Sequence, residues 1–358
     1  MLFKNTIILC GLAAFMQVNA QQAPSVTLKE AAAFPVGFAI DPVRVKNSEP
    51  FRRTVLEQAD GITATNCMKP SRIARQKGVY DFDQADQLID FAIANGKRVH
   101  GHTFVWYIDS APGWMKQIRD STELENALKN YIQAVGTHFK GKVASWDVVN
   151  EAFDNKTGAV RQDSVDQDGK TLLNVGGILG KDYVARMFQY AHQADPGALL
   201  FYNEYDQEKN AGKLNAVLGM VADFKKRGIP IHGLGLQMHI NVNTPDAGIE
   251  NALKKLAETG LLIHISELDI SMNTARTKPF QPTAEQLEKQ YRKYKFVADA
   301  YKRLVPEKQQ FGITTWGIGD ADSWIPGFCK CEDYPLPFDK EYRAKKAFAG
   351  FAEGLQSK

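Results

Sequence analysis

Short runs of apolar and β-favouring residues recur along the chain: Val36-Gly37-Phe38-Ala39, Gly61-Ile62-Thr63-Ala64-Thr65, Arg98-Val99-His100-Gly101-His102, Val143 to Val149, Ala198-Leu199-Leu200-Phe201-Tyr202, Gly233-Leu234-Gly235-Leu236-Gln237, Leu262-Ile263-His264-Ile265-Ser266 and Phe311 to Trp316. The intervals between them leave room for a loop and a helix, and helical patterns fill the gaps. Over residues 122–139, Leu124, Ala127, Leu128, Tyr131, Ile132, Val135 and Phe139 share one face of a 3.6-residue period, which predicts an amphipathic helix. A helix over 213–227 is expected to stop at Gly228. One over 283–304 is expected to open with Thr283 and Gln286 as a capping box, and Thr27 and Glu30 repeat that spacing.

Eight apolar strands separated by helices predict an α/β fold with a parallel sheet covered on its outside, most economically a (β/α)8 TIM barrel forming one catalytic domain. The competing arrangement is a doubly wound open sheet. No Gly-x-Gly-x-x-Gly turn follows any strand, which counts against it. No internal repeat, low-complexity tract or linker divides the chain after residue 20.

In a (β/α)8 barrel, chemistry sits at the C-terminal ends of the strands. The fourth run ends in Asn150-Glu151 and the seventh in Ser266-Glu267-Leu268-Asp269. A charge there is costly unless it faces an open site. One such Glu alone reads equally well as a solvated loop acid; two on opposite sides of a barrel mouth can cleave a glycosidic bond. One attacks the anomeric carbon while the other, protonated, donates its proton to the leaving oxygen. The pattern does not say which does which. A metal is the competing use of such carboxylates, but the single His-x-His, His100-Gly101-His102, lacks a second pair and no His-Glu-x-x-His occurs. Other strand ends offer His102, Trp106, Gln237, His239, Trp316, Asp320, Ser323 and Trp324, the aromatic faces and hydrogen-bonding groups that suit a sugar.

Composition narrows the partners. Lys and Arg number 44 against 41 Asp and Glu, a net charge of +3, with no block of like charges. Nucleic acid is therefore not expected as a ligand. The first residues have their own pattern: Lys4, an apolar stretch from Ile7 to Met16, and Val18-Asn19-Ala20 before Gln21. This predicts a secretory signal peptide over 1–20 and a catalytic domain over 21–358, exported to the periplasm or outside the cell without a membrane anchor. Three cysteines then remain, Cys67, Cys329 and Cys331. A Cys-x-Cys pair is not expected to bridge itself without strain, which leaves two alternatives open, Cys67 joined to one of the other two or three free thiols, with at least one thiol left over in either case.

Taken in order, the motifs resemble glycoside hydrolase family 10, the (β/α)8 endo-β-1,4-xylanases. They are Asn66-x-Met68-Lys69, Gly101-His102-Thr103-Phe104-Val105-Trp106, Ser145-Trp146-Asp147-Val148-Val149-Asn150-Glu151-Ala152, Asn203-Glu204-Tyr205, Gln237-Met238-His239, Ile265-Ser266-Glu267-Leu268-Asp269, and Thr314-Thr315-Trp316-Gly317 with Asp320, Ser323 and Trp324. The resemblance implies that Glu151 is the acid/base and Glu267 the nucleophile of a retaining endo-1,4-beta-xylanase. It implies that Asn150 binds the sugar 2-hydroxyl, that His239 and Asp269 keep Glu267 ionised, and that Asn66, Lys69, His102, Trp106, Tyr205, Gln237, Trp316 and Trp324 bind the substrate. Xylan or xylo-oligosaccharide is the implied substrate, with no cofactor or metal, and a monomer is expected.

The departures from the family's pattern fall around sugar recognition. Thr65 stands where the family usually has Glu, Tyr107-Ile108-Asp109 replaces the usual His-Ser-Gln, and Glu204 is more often Asp. Cys67 lies in the same region. These leave a β-glycanase or exo-acting enzyme on decorated xylo-oligosaccharides, or a polysaccharide-binding barrel without chemistry, as alternatives. The segment 154–178, with Asp154, Asp163, Asp166 and Asp168, resembles the family's variable loop on the leaving-group side. Its acids lack the EF-hand order and read as a solvated loop.

Overall fold

The computed structural model describes residues 26–108 and 111–357. The expected signal peptide over 1–20 and Asp109 lie outside the described residues. Among the described residues the strands are β1 (Val36–Ile40), β2 (Gly61–Ala64), β3 (Arg98–Trp106), β4 (Ser145–Asn150), β5 (Leu199–Glu204), β6 (Gly233–Leu236), β7 (His239–Asn241), β8 (Leu262–Ser271) and β9 (Gln310–Thr315). Neighbours pair in the order β6-β5-β4-β3-β2-β1-β9-β8-β7, and a further β6 to β8 pairing closes the sheet. All these pairings are parallel. β6 pairs with the first half of β8 and β7 with its second half, so the two are pieces of one barrel position, broken where Met238 takes φ 63°. The result is the expected closed eight-position barrel.

The helices follow the sequence pattern closely because each has chemically defined ends. The helix Ser121–His138 buries Leu124, Leu128, Tyr131, Ile132 and Val135 on one face, and the Asp120 side chain caps it by accepting from the Glu123 N–H. The helix Ala211–Arg227 ends at Gly228, whose φ of 66° is left-handed. Thr283 and Gln286 make both hydrogen bonds of a capping box at the start of Ala284–Leu304, and Thr27 and Glu30 do so at Leu28–Ala31. Among the described residues, no helix is long and apolar enough to cross a membrane.

Two strands run further than their apolar runs suggest. β3 continues through His102 to Trp106, and β8 continues through Glu267 and Asp269 to Ser271. His102, Glu267 and Asp269 thus sit inside paired strands and not beyond them. Register shifts between His102 and Val105, and between Ile265 and Leu268, let the ladder resume past these polar residues. Every β4 residue is buried: Trp146 stacks on Phe104 in the layer under the helices, while the Asp147 carboxylate meets His100 and His102.

The cysteine expectation is corrected. Cys329 and Cys331 are bonded to each other, with Cα atoms 5.2 Å apart, and Cys67 is a free, buried thiol. An extended backbone would separate the two Cα atoms by about 7 Å. Lys330, with φ 54° and ψ 34°, folds the chain back between them and brings them into bridging range. Burial pushes the Cys67 thiol up to about 12, so it is inert at neutral pH.

Close backbone approach also shapes the barrel mouth. Gly235 pairs with Asn203 across β5 and β6, and a Cβ on Gly235 would fall on the Asn203 side-chain oxygen. Gly235→Ala should lower the free energy of unfolding by about 1–3 kcal/mol. A denaturant midpoint unchanged from that of the parent protein would contradict this packing.

Candidate active site

The thirteen residues that the resemblance assigns to catalysis or substrate binding line one cleft of about 1000 Å³ at the barrel mouth, whereas Asp320 and Ser323 do not: Asp320 is buried against Lys345 at 2.8 Å, and Ser323 Oγ accepts from the Ile325 N–H at 3.2 Å. β4 delivers Asn150 and then Glu151, whose φ of 60° turns its carboxyl into the cleft. A non-glycine residue in this region carries strain, and the neighbouring backbone holds it in place. The Glu151 N–H donates to the Asn203 carbonyl (2.9 Å), the Ala152 N–H to the Tyr202 hydroxyl (2.9 Å) and the Phe153 N–H to the Glu204 carboxylate (3.2 Å). Three side chains donate to the Glu151 carboxyl itself: Trp106 Nε1 to Oε2 at 2.8 Å, and Gln237 Nε2 and Asn150 Nδ2 to Oε1 at 3.0 and 3.2 Å.

Glu267 faces the same space from β8. Asn203 Nδ2 donates to its Oε1 at 2.6 Å, and His239 Nε2 lies 3.2 Å from its Oε2. Asn203 Nδ2 also donates to Asn150 Oδ1 at 2.9 Å, while Asn203 Oδ1 accepts from Ser266 Oγ at 2.7 Å. Asn150 and Asn203 therefore join the two carboxyl groups through an unbroken run of amides, with Gln237 bracing it at Asn150 Oδ1. Asn203 is the hub of this network, although the Asn203-Glu204-Tyr205 motif by itself assigns it no role. Its position at the end of β5, directly before Glu204 and Tyr205, was the available signal.

Behind Glu267, His239 Nδ1 lies 2.8 Å from Asp269 Oδ2, which also accepts from Trp324 Nε1 at 2.9 Å. Burial works against a charge on His239, but the Asp269 and Glu267 carboxylates override it and push its pKa up to about 10. Burial likewise works to raise Glu267. The His239 hydrogen bond and the fields of His102 and His239 outweigh it, so Glu267 is held below the ordinary carboxylate range. His100 and His102, which could have suggested a metal, instead both face Asp147, at 3.1 and 2.8 Å, and His100 also meets Ser145 Oγ. Burial opposes the Asp147 charge, and these two imidazoles lower its pKa despite that.

Around the carboxylates, Lys69 Nζ donates to Asn66 Oδ1 (3.2 Å) and lies over the rings of Trp106 and Trp316 at 4.9 and 5.9 Å. Tyr205 is held by Arg161, which donates from Nη2 to its hydroxyl (2.7 Å) and from Nε to the Glu151 carbonyl (3.1 Å), with its guanidinium 4.5 Å from the Tyr107 ring. Arg161 comes from the segment 154–178, where the nearest acids, Asp154 and Asp163, stand 3.7 and 3.9 Å away. Its role had no sequence signal. Of the departures, Thr65 spends its hydroxyl on the Ile40 carbonyl (3.2 Å), and Glu204 is fully buried against Lys213 at 2.7 Å. Cys67 is buried and does not line the cleft.

A family model described as glycosyl hydrolase family 10 matches residues 25–354. The chain belongs to this family. It is 35% identical over 334 residues to a protein named exoglucanase XynX from Acetivibrio thermocellus, covering 89% of this chain and 28% of that protein. It is 36% identical over 346 residues to endo-beta-1,4-xylanase Xyn10C from Cellvibrio japonicus, covering 90% and 56%. The chain thus spans about half or less of these two curated relatives. A mutant of xylanase 10C from Cellvibrio japonicus, solved in complex with xylopentaose, superposes with a TM-score of 0.85 at 33% identity, over 92% of this chain and 69% of that one. The family's parallel barrel and this cleft therefore coincide in one fold.

The His239 charge has a definite pH signature. Its raised pKa contributes stability that is full below about 6.5, its ordinary value, and is lost as pH rises towards about 10. Glu267, with a lowered pKa, contributes in the opposite sense: its share is present at neutral pH and lost as pH falls through the acid range. An imidazole NMR titration should find His239 protonated throughout neutral pH, and Asp269→Asn should bring its titration down towards 6.5. A His239 that titrates near 6.5 in the unaltered protein would contradict the ion-paired arrangement.

Proposed function

We propose that this protein is a retaining endo-1,4-beta-xylanase, exported through an N-terminal signal peptide, that hydrolyses internal β-1,4-xylosidic bonds of xylan and xylo-oligosaccharides. One observation carries the reading: Glu151 and Glu267 stand at the two ends of the Asn150 and Asn203 amides, with Glu267 alone backed by the His239 and Asp269 relay. That asymmetry assigns the roles. The carboxylate held ionised is the nucleophile, and the one gripped by neutral donors is the acid and base.

In the first step a Glu267 oxygen bonds to the anomeric carbon as the bond to the glycosidic oxygen breaks, and that oxygen takes the proton of the Glu151 carboxyl. The sugar is left as an ester of Glu267. In the second step Glu151, now ionised, removes a proton from water as the water oxygen attacks the same carbon. The Glu267 carboxylate departs, and retention follows from two inversions. Asn150, which donates to Glu151 and accepts from Asn203 and Gln237, meets the sugar 2-hydroxyl, a contact that tightens as positive charge develops on the ring. Asn66, Lys69, His102, Trp106, Gln237, Trp316, Trp324 and Tyr205, which line the same cleft, bind the chain.

A second reading, an exo-acting β-glycanase, is favoured by two observations: one curated relative is named an exoglucanase, and the Thr65 hydroxyl is committed to Ile40 at a position where the family usually presents a carboxylate. Products formed from linear xylan decide between them, because endo action gives a ladder of oligosaccharides from the earliest times and exo action a single short product.

Glu267→Ala should reduce hydrolysis of xylan and of aryl xylobiosides by at least about a thousandfold in a reducing-sugar or chromogenic assay, because no other group can form the ester. Retained turnover in that variant would overturn the assignment. Glu151→Ala should spare the first step only for substrates with very good leaving groups, which need little protonation. An equal loss across leaving groups would count against Glu151 as the acid.

A further inference from the structure

The aromatic lining of the cleft continues past the residues assigned so far. Ring centroids lie 6.3 Å apart for Trp106 and His102, 5.2 Å for His102 and Trp316, 6.4 Å for Trp316 and His239, 5.0 Å for His239 and Trp324, and 5.1 Å for Trp324 and Phe328. Phe328 ends this run. Its 66% exposure is the largest of the exposed large hydrophobic side chains among the described residues, yet it lines the cleft. It belongs to the helix Ile325–Cys329, which has no buried residue, so the ring adds nothing to the core. A benzyl group left open beside a binding site forgoes the stability that burial would give, and a patch of this kind marks a contact surface.

The chain around Phe328 is tied down in a way that an idle surface loop does not require. The next residue, Cys329, is bonded to Cys331, which is itself buried. Two residues further, the Asp333 carboxylate accepts from the Met272 and Tyr334 N–H groups at 3.0 and 2.8 Å and from the Ser271 hydroxyl, anchoring the segment to the end of the strand that carries Glu267. The backbone that carries the ring is therefore tied to the strand of Glu267, and the ring itself lies beside Trp324 with its face open. A fixed, exposed aromatic face continuous with a sugar cleft fits the apolar face of one more pyranose ring.

We propose that Phe328 is the stacking platform of an outer subsite, taking a pyranose of a β-1,4-linked chain beyond the one that meets Trp324, and that the Cys329–Cys331 bridge holds it there. This rests on the xylan-hydrolase reading of the same cleft. The residue touches no reacting atom, so its effect falls on long substrates alone.

The test compares xylohexaose with an aryl xylobioside in the full-length protein. Phe328→Ala should raise KM for xylohexaose about three- to tenfold with kcat unchanged, and leave both constants for the aryl xylobioside as they were. Phe328→Tyr, which keeps a ring, should restore the xylohexaose KM. The paired substitution Cys329→Ser with Cys331→Ser should raise the same KM and spare the short substrate. An unchanged xylohexaose KM in Phe328→Ala, or an equal loss on both substrates, would overturn the proposal. Turnover of the aryl xylobioside by the unaltered protein reads the functional assignment, and the ratio between long and short substrates reads the platform.

Discussion

A carboxylate enclosed by the mouth of a barrel retains its charge only where fixed dipoles and a nearby cation replace the water it has lost, and Glu267 is the place where this protein meets that condition. His239 provides the cation, Asp269 keeps His239 charged, and Asn203 satisfies the remaining oxygen. Removing one member takes a partner from at least one other buried polar group, so the members are energetically coupled. Glu151, at the other end of the amide run, accepts instead from Trp106, Gln237 and Asn150. The difference between the two environments supports the proposed division into a nucleophile and a proton donor.

The barrel exists in the form that permits this network. Parallel strands place successive ends around one rim, and irregular register in β3 and β8 lets polar residues project inward without ending the ladder. Gly235 is small because the Asn203 side chain crosses its strand, so a backbone feature of β6 serves the amide that links the two carboxylates. Beneath them, Asp147 bridges His100 and His102, and the field of His102 reaches Glu267. A second buried pair, Glu204 with Lys213, holds the Phe153 N–H and thereby the strained turn at Glu151.

The local rules that act over a few residues were legible along the chain. The amphipathic face of 122–139, Gly228 as a helix stop and Thr283 with Gln286 as a cap each depend on near neighbours, and the structure contains them. The placement of Glu151 and Glu267 at one mouth was legible too, because strand ends in a barrel are equivalent positions. What was hidden depends on partners remote in sequence. Asn203 matters through Asn150 and Glu267, each more than fifty residues away. Arg161 matters because its loop folds back over Tyr107 and Tyr205. The pairing of Cys329 with Cys331 turned on the left-handed conformation of a single lysine, which composition does not announce. β3 and β8 outran their apolar runs because a polar residue inside a barrel mouth is no signal of a strand's end.

In the proposed mechanism Glu267 becomes covalently bound to sugar while Glu151 does not. It is tested most directly by incubating the protein with a slow, activated 2-fluoro-xylobioside, digesting it and reading the peptide masses. A glycosyl mass increment is expected on the peptide carrying Glu267, released when a xylo-oligosaccharide acceptor is added. An increment on the Glu151 peptide, or product of inverted anomeric configuration with no adduct at all, would contradict it.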